Sequence, residues 1–152
     1  MRPVFLLLIL CGSATIQAQT FKNVDYLYRA TEEAKPKHVF GVLNIDSARK
    51  TVTFISNRKV HKEPTVKFDV AGNTVTSAVY ERAARPRYGA GLLLAWPLLF
   101  TKEKKHFLTL QYKTDSGDGK YAIFQLDKKN YREAVAAIEA TFGIKIERSE
   151  ER

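Results

Sequence analysis

The chain alternates apolar and polar residues in short runs separated by tight turns, and this pattern leaves little to fold into except antiparallel β structure. His38 to Asp46 reads HVFGVLNID, with Val39, Gly41, Leu43 and Ile45 falling on one side. A period of two is that of a strand buried on one face. Asp46-Ser47-Ala48-Arg49 has the Asp and Ser that type I turns favour early on. Thr51 to Ser56, TVTFIS, then places Val52 and Phe54 inward, so the two runs predict a β-hairpin. Further strands are expected over Thr65–Val70 and, after an Ala71-Gly72-Asn73 turn, over Thr74–Arg82, where Val75 and Val79 bracket Ser77. Lys105–Thr114 sets Leu108, Leu110 and Tyr112 against Thr109 and Gln111. A glycine-rich loop over 115–119 and a strand over Lys120–Leu126 follow. The expected class is mainly β within α+β: an antiparallel sandwich or partly open barrel of about six to seven strands.

The C-terminus changes period. Tyr131, Ala134, Val135, Ile138 and Phe142 recur at the spacing of one helical face, with Arg132, Glu133 and Glu139 opposite. This predicts a helix over 129–142, capped by Asp127 or Asn130 and stopped by Gly143. A helix with one apolar stripe must cover something, here an open end or face of the sheet. Ile144 and Ile146 suggest a short terminal strand, and residues 148–152 are expected to fray as a tail. At the other end, residues 19–37 read as a lead-in arm or a short helix capped by Asp25 and ended by Pro36. The β domain with its helix is expected over 38–147.

Residues 1–18 have the plan of a secretory signal peptide. Arg2 supplies the positive start, Val4 to Leu10 the apolar run, and Ile16-Gln17-Ala18 a cleavage site before Gln19. The chain's one cysteine, Cys11, lies in this segment, and Leu10 stands where a lipoprotein signal needs a small residue. The remainder then has no thiol, which excludes disulfides, thiol catalysis and thiolate metal sites. An exported protein, periplasmic or secreted, is expected. The formal charge is +9, and removing residues 1–18 takes away only one cation and no acid. Such an excess favours anionic partners: phospholipid head groups, acidic polysaccharide or nucleic acid. Export argues against nucleic acid as the working partner.

Between the strands lies the most apolar stretch beyond the N-terminus, GAGLLLAWPLLF over 89–100. Arg82, Arg85 and Arg87 precede it, and Lys102, Lys104, Lys105 and His106 follow. It is too short to span a bilayer. One reading makes Leu92 to Phe100 a buried strand, with Pro97 at an edge or bulge. The other makes it a loop whose leucines and Trp96 enter the membrane interface while Arg85, Arg87, Lys102, Lys104 and Lys105 meet anionic head groups. Each such cation adds about 1 kcal/mol at an anionic surface. A protein partner in place of lipid is a third option. A second basic cluster, Arg58, Lys59, His61 and Lys62, follows the first hairpin and reads as a solvated loop.

Antiparallel strands closed by one C-terminal amphipathic helix, with pieces such as GVLNID followed by TVTFIS, resemble the pleckstrin-homology-like superfold and its GRAM relatives across roughly 38–146. The resemblance implies a bent sandwich of about seven strands with the helix plugging one end. It also implies a binding module for lipid head groups or peptides, rarely an enzyme. The stretch RPRYGAGLLLAWPLLFTKEKKHFLTL also looks like a segment of uncharacterised exported bacterial proteins, which implies no activity.

Motifs of catalysis are missing: there is no GxSxG, HExxH or P-loop. His38, His61 and His106 are scattered without a ligand-spaced partner and read as surface or edge residues. Asp115 and Asp118 lack the ligand series of a calcium loop and read as a turn. We therefore expect no catalytic residue, metal or cofactor. The expectation is a non-enzymatic binding module at the cell envelope, meeting anionic membrane or a protein partner through Arg85, Arg87, Trp96, Lys102, Lys104 and Lys105. The alternatives are an assembly protein that uses 92–100 as an interface, or a small ligand-carrying or hydrolytic barrel.

Overall fold

The computed structural model describes residues 18–28, 37–57, 65–83 and 104–150. Eight strands form one sheet: β1 Gln19–Tyr28, β2 Lys37–Asp46, β3 Thr51–Ser56, β4 Lys67–Ala71, β5 Val75–Ala83, β6 Lys105–Lys113, β7 Gly119–Leu126 and β8 Glu147–Glu150. A 3-10 turn at Gly72–Thr74 joins β4 to β5, and the one α-helix among the described residues, α1, spans Tyr131–Phe142. The strand order is β4-β3-β2-β1-β7-β6-β5-β8. Two meanders, β1 to β4 and β5 to β7, thus meet where β1 pairs with β7. The sheet is open, with β4 and β8 at its two ends, and the protein is mainly β with one C-terminal helix, as the strand pattern predicts.

The predicted hairpin is present with the expected faces. Val39, Gly41, Leu43 and Ile45 of β2 and Val52 and Phe54 of β3 are buried, and their neighbours alternate outward. The Arg49 amide donates to Asp46 Oδ1 at 3.0 Å, closing the turn between them. Gly41 is required by packing: a Cβ there would lie 2.6 and 2.8 Å from the Phe54 ring and would also strike the Ile55 carbonyl oxygen. Phe54 belongs to an aromatic cluster with Tyr26, Phe68 and Phe124, whose ring centroids lie 4.7 to 6.1 Å apart. This cluster fills the core between the two meanders.

Three expectations are corrected. Residues 19–28 are neither an arm nor a helix. They form β1, a central strand paired on both sides. The alternation was masked by a bulge between Phe21 and Val24, where Asn23 sits at φ 58° and one extra residue lets both Phe21 and Val24 face the core. Glu147 to Glu150, expected largely to fray, pair in parallel with Val79 to Arg82 as β8. Charged residues suit an edge strand, because they discourage further pairing. These two strands bring the count to eight. In β5 a bulge between Val75 and Ser77 shifts the phase, so Ala78 and Tyr80 turn to the core and Val79 to the opposite face.

The helix lies across β2, β3 and the 3-10 turn, with Ala134, Val135 and Ile138 buried in the main core. Burying Val135 and Ile138 stabilises the docked helix by about 4 kcal/mol in total. Thr141 is buried as well and its hydroxyl meets Ser47 Oγ at 2.9 Å, tying the last turn to the β2–β3 turn. Gly143 ends the helix at φ 65°, as expected, and its amide donates to the Glu139 carbonyl. Asn130 is the N-cap but makes no side-chain capping bond. The approach is instead fixed by Asp127, whose carbonyl receives the Asn130 and Tyr131 amides and whose Oδ1 receives the Lys129 amide at 2.8 Å.

Candidate anion-binding surface at the start of the helix

The end of β5, the start of β6 and the first turn of α1 converge at one corner. Arg82 pairs with His106 and Ala83 with Lys105 across β5 and β6, while His106 also pairs with Leu126, the last residue of β7. The chain leaves β7, turns through Asp127 to Asn130 and starts the helix at Tyr131 directly over this corner. The Tyr131 ring stacks on the His106 imidazole with centroids 3.8 Å apart and planes inclined by 11°. Tyr80 is stacked parallel to Tyr131 at 5.6 Å, and its hydroxyl is 2.7 Å from His106 Nδ1. The Arg132 Nε donates to the Tyr131 hydroxyl at 2.9 Å, and its guanidinium lies 5.6 Å from the same ring. Three aromatic groups and one guanidinium thus form a continuous layer at the start of the helix.

Charge at the corner is positive. His106 titrates below its ordinary value, first because burial penalises the imidazolium and then because Arg82, Lys128 and Arg132 repel it. It is neutral at pH 7 and serves as a stacked hydrogen-bonding partner of Tyr80. The three cations remain exposed. Arg132 is held more firmly protonated than usual, chiefly by its hydrogen bond to Tyr131. Fixed cations around a neutral aromatic layer can hold an anionic group by charge-assisted hydrogen bonds. Tyr80 and His106 are both buried, so neither is presented to solvent as a nucleophile or general base.

The sequence-predicted residues divide unevenly. Lys104 is exposed just before β6, and Lys105 is the half-buried first residue of that strand. Both therefore stand next to His106. Arg85, Arg87, Trp96 and Lys102 lie outside the described residues, as does the whole 89–100 stretch and the basic cluster over 58–62. In sequence, Lys128 and Arg132 have only the character of a solvated helix start. Their relation to Arg82 depends on β6, which pairs with β5 on one side and with β7 on the other.

The histidine expectation is corrected too. His106 is buried within the stack, and His38 is half-buried with Nδ1 2.7 Å from Asp25 Oδ2. That acid comes from β1, a strand the sequence pattern hid. The 115–119 loop is a hairpin turn with its own closure: the Thr114 amide donates to the Asp118 carbonyl at 2.9 Å, and Ser116 donates to Asp118 Oδ2. Among the described residues no helix is long and apolar enough to cross a membrane.

No protein-family model matches the chain, and no curated protein resembles it at a significant level.

Proposed function

We propose that the chain is an exported, non-enzymatic binding module that meets the anionic surface of an envelope membrane through this basic corner and the apolar residues between β5 and β6. The observation that carries the reading is the convergence of Arg82, Lys128 and Arg132 on the buried His106, whose titration is lowered first by burial and then by these cations. The chain leaves the sheet after Ala83, beside Arg82, and returns at Lys105 on the neighbouring strand, and the sequence between them carries the run GAGLLLAWPLLF. Cations at the root of an apolar, tryptophan-containing segment are the chemistry of an interfacial anchor. The order of four strands, three strands and a helix also supports the pleckstrin-homology-like resemblance, although a fold alone carries no function.

Vesicle co-sedimentation of residues 19–152, which hold all the described elements, tests the reading. Anionic and neutral vesicles are compared at low and high salt, with and without Trp96→Ala. The module binds anionic vesicles, weakens with salt, loses affinity with the substitution, and shows a blue shift of its one tryptophan. Absence of binding under every condition contradicts the membrane reading and turns the search to a protein partner.

A further inference from the structure

We propose that Asp25 and Gln125, on the outer face of the sheet, form a site for an N–H-bearing cation, either an alkylammonium or a guanidinium group. This goes beyond the membrane reading and does not rest on it. Asp25 points away from the main core yet is only 4% exposed. Its Oδ2 meets His38 Nδ1 at 2.7 Å, while its Oδ1 is buried with no hydrogen-bond partner. Directly opposite on β7 stands Gln125, whose Oε1 is also buried and without a partner. Residues facing each other in an antiparallel pair have Cβ atoms about 5 Å apart, so one donor group reaches both oxygens.

Buried acceptors are ordinarily paired, and two of them side by side suit one shared donor group. A group with two or more N–H donors serves both oxygens, and a cationic one gains most because one of them belongs to a carboxylate. Ammonium offers three donors and guanidinium a planar fork. The far side of Asp25 fits the same ligand: Phe40, its partner on β2, is 56% exposed, the most exposed large apolar side chain among the described residues. An aromatic ring beside a carboxylate adds a cation–π contact. Leu27 and Ile123, one step along the same strands, belong to a small apolar cluster with Phe107 that can line the ligand's carbon stem. A metal ion fits less well, since among the described residues no three His, Asp or Glu side chains gather in a group that could hold one.

The test is a 1H–15N NMR titration of the full chain with n-butylammonium, with methylguanidinium and with an arginine-containing tripeptide amide. Tetramethylammonium, which has the charge and no N–H, serves as the control. The site gives saturable shifts at the Gln125 side-chain amide, Phe40 and His38, and the control gives none. Asp25→Asn weakens binding about tenfold or more, and Phe40→Ala, at an exposed position, weakens it about threefold. Binding of the free ions identifies a small amine as ligand, and binding of the tripeptide alone identifies a basic side chain of a partner. Both support the site. The proposal is overturned if no probe gives saturable shifts, because the Gln125 amide then satisfies Asp25 itself. It is equally overturned if tetramethylammonium binds as well as the others, or if affinity survives Phe40→Ala and a folded Asp25→Asn unchanged.

Discussion

Replacing Gly41 by alanine is the sharpest structural test of how the two meanders close on each other. The added Cβ meets the Phe54 ring at 2.6 and 2.8 Å and collides with the Ile55 carbonyl oxygen. Phe54 cannot swing aside, because Tyr26, Phe68 and Phe124 hold it with centroids 5.3, 5.8 and 6.0 Å away. The other relief is to part β2 from β3, which loosens the pairs Gly41–Ser56 and Val42–Ile55. Overpacking of this kind costs roughly 1 to 3 kcal/mol, and a clash with both ring and backbone belongs near 3. Alanine restricts the unfolded chain and returns about 0.5 kcal/mol. The net loss is therefore about 2.5 kcal/mol, or roughly 8 °C in Tm for a domain of this size. Urea unfolding followed by circular dichroism should show a lower midpoint with an unchanged slope. In a Phe54→Leu background the same substitution should cost about 1 kcal/mol less. A Gly41→Ala protein within about 0.5 kcal/mol of the parent would refute this packing argument.

Further consequences follow from other contacts. The folded state lowers the His106 pKa below 6.5, so the unfolded chain binds more protons once the pH falls beneath that value. The His106 contribution to stability is thus complete above about pH 6.5 and declines on acidification, and urea midpoints between pH 7.5 and 5 should fall less steeply in His106→Phe. Glu139 accepts the Ile146 amide at 2.9 Å and the Arg148 guanidinium at 2.8 Å, linking α1 to the start of β8. Glu139→Ala should cost about 1 to 2 kcal/mol and speed hydrogen exchange in β8 ahead of the rest of the sheet. Gly143→Ala places a side chain in open space but at φ 65°, so thermal unfolding should report a loss of about 1 kcal/mol from backbone conformation alone. Ile138→Ala empties a fully buried position under the helix and should cost about 2 to 5 kcal/mol in the same assay.

What was legible in the sequence, and what was not, follows from how local each signal is. The β2–β3 hairpin and the helix stripe depend on residues within one element, and their faces agree with the structure residue by residue. β1 was lost because one bulge residue, Asn23, breaks its period exactly where a strand must be recognised. β8 was lost because a parallel edge strand needs no apolar face, only the neighbouring backbone of β5. The candidate surface shows the same division. Lys104, Lys105 and Arg82 are adjacent to the apolar run in sequence and could be seen there. Lys128 and Arg132 join them only because the strand order sets the end of β7 beside the start of β6, and so brings the helix start over His106. The acid facing His38 comes from β1 for the same reason and has no sequence signature.

The central claim is that a local cluster, rather than overall basicity, meets the anionic surface. Two triple charge reversals separate these most directly. Arg82, Lys128 and Arg132 are changed to glutamate in one protein. In the other, exposed Lys113, Lys120 and Lys145 are changed, of which Lys113 and Lys120 flank the hairpin at the far end of β6 and β7. Both proteins have the same net charge. Their affinities for phosphatidylserine-containing vesicles are then measured at low salt. The account predicts about a hundredfold loss for the first and only a few-fold loss for the second. Equal losses in the two proteins would contradict it, since net charge alone would then account for binding.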